Sequence, residues 1–318
     1  MLGLLSNENL DRGVNWTLLS DSLFAEFDRI TETTRLAPLS CSLSALRNYW
    51  HVIRKARRAT ALLSMNGRAM PDWRLEAVSL AAGRKTRVVF YVDPWRHSLT
   101  KIRNVDRLFG HDLAFIPYRE AYDALVSGKG HARYRHLPFA ADTRVFKDHG
   151  LDRDIDILWM GRRYEPLHRA ILDYARPRGL RYVYRETMGF ILDPNEMGRF
   201  ASRARYFVAT PPDLDDPVRT GGFSPLVMRY FEGPAAGCRL LGVLPRSGEF
   251  VAVLPRESIL EVAPDGSDFA ARFEADRLDT SGWDAAAEAS RTVRRDHGWD
   301  SRARAIRDEI AMLGGVRR

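Results

Sequence analysis

The stretch TGGFSPLVMRYFEGPAAG, residues 220–237, has the pattern of a glycine-rich loop that leads into a helix. Gly221 and Gly222 allow the backbone to approach a ligand closely, and Ser224 followed by Pro225 predicts a helix start with Ser224 as the N-cap. The free N–H groups and the dipole of such a helix favour an anion, for example a diphosphate. The stretch therefore predicts a phosphate-binding loop.

Two charged side chains lie further along this predicted helix. Arg229 and Glu232 are three residues apart, so they share one face of the helix. A guanidinium can neutralise phosphate charge, and a carboxylate can accept hydrogen bonds from hydroxyl groups. The same residues also suit an ordinary capped helix that packs through its apolar side chains, so the local pattern leaves both interpretations open.

The residues around this stretch predict an α/β unit. Residues 238–245 form an apolar run of strand length that follows a helix ending in glycine. Residues 155–161, 180–184 and 205–210 are further strand candidates, with helix-sized segments between them. Strands that alternate with helices predict a parallel sheet with helices on its faces.

The first half of the chain shows the same alternation. Residues 61–67, 86–92 and 112–117 predict strands, and residues 42–59 have helical periodicity. No strand followed by a glycine-rich turn is recognisable at the amino terminus, which suggests an abbreviated first domain. The polar, turn-rich residues 142–154 predict an interdomain linker.

These boundaries divide the 318 residues into two domains. We expect an N-terminal Rossmann-like domain over residues 1–148 and a C-terminal Rossmann-like domain over residues 149–318. The last stretch, residues 285–310, is largely helical and is interrupted at His297-Gly298, which predicts two helices.

The composition is that of a soluble globular protein, with 45% hydrophobic and 28% charged residues. No apolar run is long enough to span a bilayer and the first residues lack the pattern of a signal peptide, so we expect a cytoplasmic protein. The formal charge of +8 favours an anionic ligand, yet basic and acidic residues are interleaved. The compact cluster RKARR, residues 54–58, is more typical of a solvated helix face than of a nucleic-acid or membrane patch, so no nucleic-acid partner is expected.

Taken in chain order, the motifs resemble retaining glycosyltransferases of the GT-B fold, and most closely the branch typified by spore-maturation CgeB-like proteins. The matching segments are YVDP at 91–94, HLPFAADTRVF at 136–146, DILWMG at 156–161, PLVMRYFEGPAAG at 225–237, and HGW at 297–299 with Arg302.

The resemblance implies an α/β fold of GT-B architecture, in which two Rossmann-like domains face each other across a cleft and C-terminal helices can cross back to the first domain. The second domain would hold a nucleotide diphosphate-sugar, and the first domain would hold a small-molecule or glycan acceptor. Retention of the anomeric configuration and a hexosyltransferase type also follow from the resemblance alone.

The resemblance also implies roles for individual residues. Glu232 would hydrogen-bond the nucleotide ribose, and Arg229 or Arg162 would neutralise phosphate charge. Related retaining enzymes often carry an acidic residue eight positions before this Glu; that position is Ser224 here, so a sugar-binding carboxylate is not carried over. The backbone expected to hold the diphosphate or the sugar is that of Gly221, Gly222, Phe223 and Ser224.

Candidate catalytic residues come from the first domain. Asp93 and His97 follow the strand at 86–92, at the carboxyl edge where parallel sheets bind ligands, so they could contact the acceptor or the reacting centre. Asp93 precedes a proline and also suits a turn, and His97 also suits a surface or helix-start position.

The chemistry predicted in this way needs no cofactor beyond the nucleotide-sugar substrate. Arginines can stabilise a departing diphosphate, and the acidic run at 213–216 is flanked by prolines and is more typical of a turn than of a metal site, so no metal is expected. Two other classes remain open: a nucleotide-sugar epimerase of the same architecture, and a non-catalytic protein that binds sugar nucleotides or nucleic acid.

Overall fold

The computed structural model describes residues 1–6, 15–36, 46–66, 73–127, 133–189, 193–279 and 281–316. Contacts between residues divide the chain into two compact units: Met1–Pro138 with Asp300–Arg318, and Phe139–Trp299. The sequence-based division at residues 148 and 149 differs from this one, both in its position and in leaving the carboxyl terminus with the second domain.

Two sets of contacts explain the division. In the first unit, the buried Arg302 donates from Nε to the Pro138 carbonyl at 2.7 Å, and Arg135 Nε lies 3.1 Å from both carboxylate oxygens of Glu309. In the second unit, the Ala141 amide donates to the His297 carbonyl at 3.0 Å. The chain therefore leaves the first unit near Pro138 and returns to it at the start of the last helix.

In the described part of the first unit, six parallel strands pair in the order β2-β1-β3-β4-β5-β6. The strands are β1 Leu2–Ser6, β2 Thr33–Leu36, β3 Ala61–Asn66, β4 Thr86–Tyr91, β5 Leu113–Ile116 and β6 Tyr134–His136. The helices are α1 Asn15–Ile30, α2 Leu46–Ala56, α3 Trp73–Ala81, α4 Leu99–Phe109 and α5 Arg119–Val126, and a 3-10 turn spans Arg96–Ser98.

The amino terminus supplies a strand, β1, at a short apolar run that the sequence marked only as an uncertain candidate. Strand β1 lies inside the sheet, where Leu2 pairs with Thr33 on one side and with Ala61 on the other. The sequence shows no convincing first strand followed by a glycine-rich turn; the strand exists, and the residues directly after it lie outside the described part of the chain. A short run of leucines at the chain start is too brief to identify a strand by its pattern alone, and its pairing with two distant strands is what fixes it.

In the second unit, the described residues form a parallel sheet with the order β11-β10-β9-β7-β8. The strands are β7 Ile155–Trp159, β8 Tyr182–Tyr184, β9 Ala204–Ala209, β10 Arg239–Gly242 and β11 Ile259–Glu261. The helices are α6 Glu165–Ala175, α7 Arg185–Met188, α8 Pro194–Ser202, α9 Pro212–Asp215, α10 Pro217–Thr220, α11 Arg229–Ala235, α12 Glu249–Val253, α13 Phe269–Leu278 and α14 Ser281–Asp296. Helix α15, Trp299–Val316, begins at the last residue of this unit.

The strands predicted at 61–67, 86–92, 112–117, 155–161, 180–184 and 205–210 are confirmed, with small changes at their ends. Strand β4 shows why these predictions succeed: Val88, Val89 and Phe90 are all buried, because helices cover both faces of a parallel sheet. The break predicted at His297-Gly298 is also confirmed, since it separates α14 from α15. Among the described residues, no helix combines the length and the apolarity needed to cross a bilayer.

Glycine sets the height of helix α11 above the second sheet. A Cβ at Gly233 would lie 2.9 Å from both Cβ and Cγ of Phe207 on β9, so a larger residue would push the helix away. Because Glu232 is the neighbouring residue, this close approach also fixes the position of its carboxylate against the sheet.

The first unit contains a buried network of ionisable side chains. His111 lies between two carboxylates: Nδ1 is 2.7 Å from Asp106 Oδ1 and Nε2 is 2.7 Å from Glu76 Oε2. The hydroxyls of Tyr91 and Tyr134 both donate to Asp106. Burial lowers the pKa of His111, but the hydrogen bonds and charges of Asp106 and Glu76 outweigh it and raise this pKa to about 9. At neutral pH this imidazole is therefore a buried cation.

The second unit contains a buried network built on arginine. Arg239 forms a bidentate pair with Asp276, with distances of 2.7 and 2.5 Å. The same guanidinium donates to the backbone carbonyls of Glu257 and Gly282, and Tyr206 donates to Asp276 at 2.8 Å. These bonds tie β10 to the helices α13 and α14.

Candidate functional site

The loops that follow β7, β9 and β10 lie at one edge of the second sheet. All three strands are parallel, so their carboxyl ends share this edge. The chain runs from β7 outward to β8 and then crosses to β9 on the other side of β7, which places a switch in strand order between β7 and β9. Ligands of open α/β sheets bind at such a point, outside the carboxyl ends of the strands.

The glycine-rich stretch lies in the loop after β9, but its helix begins later than predicted. Helix α11 begins at Arg229, and Ser224 is fully buried and accepts a hydrogen bond from the Arg246 amide at 3.1 Å. The prediction that Ser224 caps the helix, with Pro225 in its first turn, is therefore wrong. Tertiary partners satisfy this segment in place of helical hydrogen bonds.

The backbone of the loop has the conformation that its glycines permit. Gly221 and Gly222 have φ angles of +62° and +83°, in the left-handed region where other residues are strained. A Cβ at Gly222 would meet no described atom within 4 Å, so the loop is open at this residue.

Three amides of the loop already donate within the chain. The Gly221 amide donates to Pro217 O at 3.0 Å, and the amides of Gly222 and Phe223 donate to Thr220 Oγ1 and O, each at 3.3 Å. The Phe223 side chain is buried in the unit. If these amides hold a diphosphate, as the sequence predicts, the ligand must therefore replace hydrogen bonds that the loop makes to itself.

Arg229 and Glu232 come together as their spacing predicts. Arg229 Nη1 donates to Glu232 Oε2, and both side chains are largely buried, with 22% and 10% exposure. The guanidinium lies against the turn after β7, where a Cβ at Gly161 would be 3.4 Å from Arg229 Nη2. Gly161 has a φ of +92°, so the turn needs glycine for both conformation and space. This cluster lies at the switch point, between β7 and β9.

Arg162 is the more accessible cation of this edge. Its side chain is 60% exposed, and Nη1 lies 3.7 Å from Asp216 Oδ2. The turn that carries it is fixed, because the indole of Trp159 donates to the Arg162 carbonyl at 2.9 Å. Asp216 accepts from the Arg219 amide at 3.0 Å, and this bond, the Arg219 guanidinium and Arg162 hold the pKa of Asp216 below its usual range.

The neighbouring Arg163 is engaged within the unit. It pairs with Glu186, lies over the ring of Tyr184 at 5.0 Å, and has Nη1 3.3 Å from His168 Nε2. Burial and the charge of Arg163 lower the pKa of His168, so this imidazole is neutral at pH 7. Of the two adjacent arginines, Arg162 is therefore the one that can turn toward a ligand.

The sequence did not single out the residues that support the loop from the next strand. Arg246 donates to Gly222 O at 3.2 Å and pairs with the buried Asp213 at 3.0 Å. The buried Glu249 accepts from the Leu226 amide at 3.4 Å. Arg246 and Glu249 could have been identified from their position just after β10, at the same edge of the sheet as the glycine-rich loop.

Asp93 and His97 lie in the first unit, after β4. Asp93 follows the carboxyl end of the strand, as predicted, and accepts a hydrogen bond from the Tyr118 hydroxyl at 2.7 Å. The Tyr118 ring packs against Trp95, with ring centroids 4.8 Å apart. His97 is exposed in the 3-10 turn Arg96–Ser98. Asp93 is thus held at the carboxyl edge of the first sheet by the residue that precedes α5.

The end of helix α14 and the HGW motif at 297–299 contact helix α11 and the segment that enters the second unit. The ring of His297 lies 5.4 Å from that of Phe231 on α11, and Arg294 donates to the Ala235 carbonyl at 3.0 Å. Trp299 meets Phe139 edge-on at 6.4 Å. The motif therefore supports α11 and the segment that enters the second unit.

Among the residues that the structure describes, no cluster of three or more His, Cys, Asp or Glu side chains could hold a metal ion. Independence from metal stays a prediction. The groups that could bind an anion at this edge are arginines: Arg162, Arg229 and Arg246.

Comparisons with known proteins find likeness only at the level of structure. No protein-family model matches the chain. The search of curated proteins finds no match either.

Several solved structures are similar over nearly the whole chain. HepE from Anabaena in complex with UDP has a TM-score of 0.64 and 11% sequence identity, over 98% of this chain and 99% of that one. HepE in complex with UDP-glucose has a TM-score of 0.59 and 12% identity, over 99% of each chain. AviGT4, a glycosyltransferase involved in avilamycin A biosynthesis, has a TM-score of 0.60 and 14% identity, over 98% of this chain and 97% of that one.

These likenesses show the fold. The chain has the α/β architecture of the GT-B glycosyltransferases, built from two parallel sheets with interleaved helices. The fold class predicted from the sequence is thereby confirmed.

Proposed function

We propose that this protein is a glycosyltransferase that moves a sugar from a nucleoside diphosphate-sugar to a hydroxyl group of an acceptor. One observation carries the proposal: the carboxylate of Glu232 is held by Arg229 at the switch point of the second sheet, beside an open glycine-rich loop. The site thus places a carboxylate that can accept hydrogen bonds from hydroxyl groups next to cations that can bind phosphate. The fold adds support, because solved structures of HepE with the same architecture hold UDP and UDP-glucose.

The residues of the second unit would bind the donor. Glu232 accepts hydrogen bonds from the ribose hydroxyls, and Arg229 holds its carboxylate in place. Arg162 and Arg246 lie on either side of the loop and neutralise the diphosphate, and Gly221 and Gly222 let the ligand approach the backbone. We propose that these guanidiniums stabilise the departing diphosphate without a metal.

In the transfer itself, the acceptor oxygen bonds to the anomeric carbon while the bond from that carbon to the diphosphate oxygen breaks. The hydroxyl proton of the acceptor leaves to a base, and the negative charge collects on the diphosphate beside the arginines. Asp93, held by Tyr118, is the candidate to contact the acceptor, and exposed His97 is the second. Retention of configuration, a hexosyltransferase type, the CgeB-like branch and a cytoplasmic location are proposals that rest on the sequence.

A thermal-shift screen with UDP, GDP, TDP, ADP and CDP tests donor binding, because a ligand that binds only the folded state raises its melting temperature. We expect one diphosphate to give a clear shift. Release of that nucleoside diphosphate from its sugar conjugate in the presence of an acceptor then tests transfer. No shift with any of the five at millimolar concentration would contradict the proposal.

Matched variants locate the site. Glu232→Gln should weaken the preferred diphosphate roughly ten- to a hundred-fold, the effect of losing charge-assisted hydrogen bonds. Glu257→Gln makes the same chemical change in an exposed turn before β11, at the opposite edge of the sheet, and should leave affinity unchanged. Arg229→Ala should resemble Glu232→Gln. Melting temperatures without ligand show whether each variant is folded, and equal affinity in all of them would remove Glu232 from the site.

A further inference from the structure

A strongly basic surface lies at the amino edge of the first sheet, opposite the edge that carries Asp93. The cluster predicted at 54–58 lies on the last turn of α2 and the turn after it, and its four basic residues are exposed. Three more cations surround the turn that leads into β4. We call this set the basic surface: Arg54, Lys55, Arg57, Arg58, Arg84, Lys85 and Arg87.

The two groups of cations form one continuous surface. Arg57 donates from both Nε and Nη2 to the Ala81 carbonyl at 3.3 Å, which joins the end of α2 to the end of α3. Directly beyond Ala81 a cavity of about 800 Å³ opens. Its lining residues are Leu80, Gly83, Arg84, Lys85, Arg87 and Asp112.

The cavity has a positive lining. Asp112 is the one acidic side chain among the described residues of the lining. It accepts a hydrogen bond from the Arg87 amide at 2.8 Å, and the Arg87 guanidinium donates to the Gly110 carbonyl at 3.0 Å. The exposed Arg84 and the half-buried Lys85 add two further charges. The chemistry of this surface therefore fits an anionic partner.

Two exposed apolar side chains lie among these charges. Trp50 is 59% exposed and Leu80 is 45% exposed. The guanidinium of Arg57 lies over the Trp50 ring, 5.8 Å from its centroid, so one ring face is covered and is not available for stacking on a base. Tryptophan and leucine between arginines and lysines are typical of surfaces that rest at the boundary between lipid headgroups and acyl chains.

We propose that the basic surface docks the protein on a membrane that carries anionic phospholipids. The arginines and lysines would bind lipid phosphates, while Trp50 and Leu80 enter the headgroup region. Strand β4 separates this surface from Asp93: its six residues span about 20 Å, with Arg87 at the amino end and Asp93 beyond the carboxyl end. Docking would therefore leave the carboxyl edge of the first sheet open to substrate.

Co-sedimentation of the full chain with vesicles tests the proposal. We expect binding to phosphatidylcholine vesicles that contain phosphatidylglycerol, weak binding to pure phosphatidylcholine, and a loss of binding as salt is raised. Arg54→Gln, Lys55→Gln and Arg58→Gln combined should lower the partition coefficient about a hundred-fold, since each surface cation contributes roughly a factor of five. Arg57 is kept in this variant because it joins α2 to α3.

A second triple variant is the matched control. Arg272→Gln, Arg277→Gln and Arg295→Gln remove the same charge from exposed arginines of the second unit and should leave vesicle binding within about two-fold of the wild type, since these side chains lie outside the basic surface. Trp50→Ser should weaken binding about ten-fold while the salt dependence persists. Circular dichroism checks that each variant is folded.

Three outcomes would overturn the proposal. They are equal binding to neutral and anionic vesicles, equal losses in the two triple variants, and binding to random single-stranded RNA that is tighter than vesicle binding and is removed by the Arg54 triple variant. The last outcome would make the surface a nucleic-acid site. Donor affinity measured by thermal shift is independent of all three, so a failure here leaves the proposed function untouched.

Discussion

The two units bury charge in different ways. In the first unit a histidine that can lose its proton lies between Glu76 and Asp106. In the second unit an arginine that stays charged at any accessible pH is paired with Asp276. All of these side chains are at most 7% exposed, so water cannot solvate a charge that loses its partner in either network.

The difference shows that a buried ion pair can be either fixed or conditional on pH. When base deprotonates His111, the carboxylates of Glu76 and Asp106 lose the positive charge between them. We therefore expect the first unit to be sensitive to alkaline pH and the second unit to be insensitive to it.

The largest expected effect is the loss of one partner in the arginine network. Asp276→Asn leaves Arg239 buried without its counter-ion and should destabilise the second unit by about 3–5 kcal/mol, measured as the free energy of unfolding in urea. The double variant Arg239→Met, Asp276→Leu removes both charges and should recover part of that loss. A single variant that unfolds like the wild type would show that the pair contributes little.

The next effect is the pH dependence of the first unit. The pKa of His111 is about 9 in the folded state against an ordinary value of 6.5, so its contribution to folding stability is fully present below about pH 6.5 and is lost as the pH rises through 9. That loss amounts to about 3 kcal/mol. Urea midpoints measured from neutral to alkaline pH, with hydrogen exchange to assign the transition to the first unit, check it.

Removing the histidine sharpens this test. His111→Gln should be less stable than the wild type at neutral pH and should lose most of the alkaline slope. If the variant keeps the same slope, a group other than His111 is responsible for it, and the contrast between the two networks fails.

The smallest effect provides a baseline. Arg119 and Asp123 form an exposed pair four residues apart on α5, with side-chain exposures of 52% and 53%. Arg119→Ala should change the free energy of unfolding by only about 0.3–0.5 kcal/mol, because solvent and salt screen the pair. Addition of salt should reduce even this difference, and a loss comparable to that of Asp276→Asn would undermine the argument from burial.

The sequence predicted the features that local pattern controls. Continuous apolar runs such as the one at Val88 and Val89 identified strands buried on both faces, and the spacing of Arg229 and Glu232 placed the two side chains together. It failed at Ser224, because good capping residues were outweighed by tertiary hydrogen bonds from Arg246. A local sequence pattern does not show hydrogen-bond partners that lie far apart in the chain.

The buried histidine network shows the same limit. Glu76 and His111 are separated by 35 residues, so their contact is not visible in a local pattern. In addition, charged residues on a predicted helix are normally assigned to its solvent-exposed face. Arg246 was missed for a related reason, since its contacts to Gly222 and Asp213 form only when neighbouring strands align their carboxyl ends. Ligands of parallel sheets bind at the carboxyl ends of the strands, so the sequence can predict the edge of the sheet where such a site lies. Which side chains hold the site in place depends on tertiary packing.

The return of the chain to the first unit has a consequence for synthesis on the ribosome. Glu309 and Arg302, which contact Arg135 and the Pro138 carbonyl, are made only after the whole of Phe139–Trp299. At ordinary rates of translation, β6 therefore waits roughly 10–30 s for its last partner helix. We expect an amino-terminal fragment ending at Pro138 to be an incomplete folding unit, and the second unit to be the part that can finish folding first.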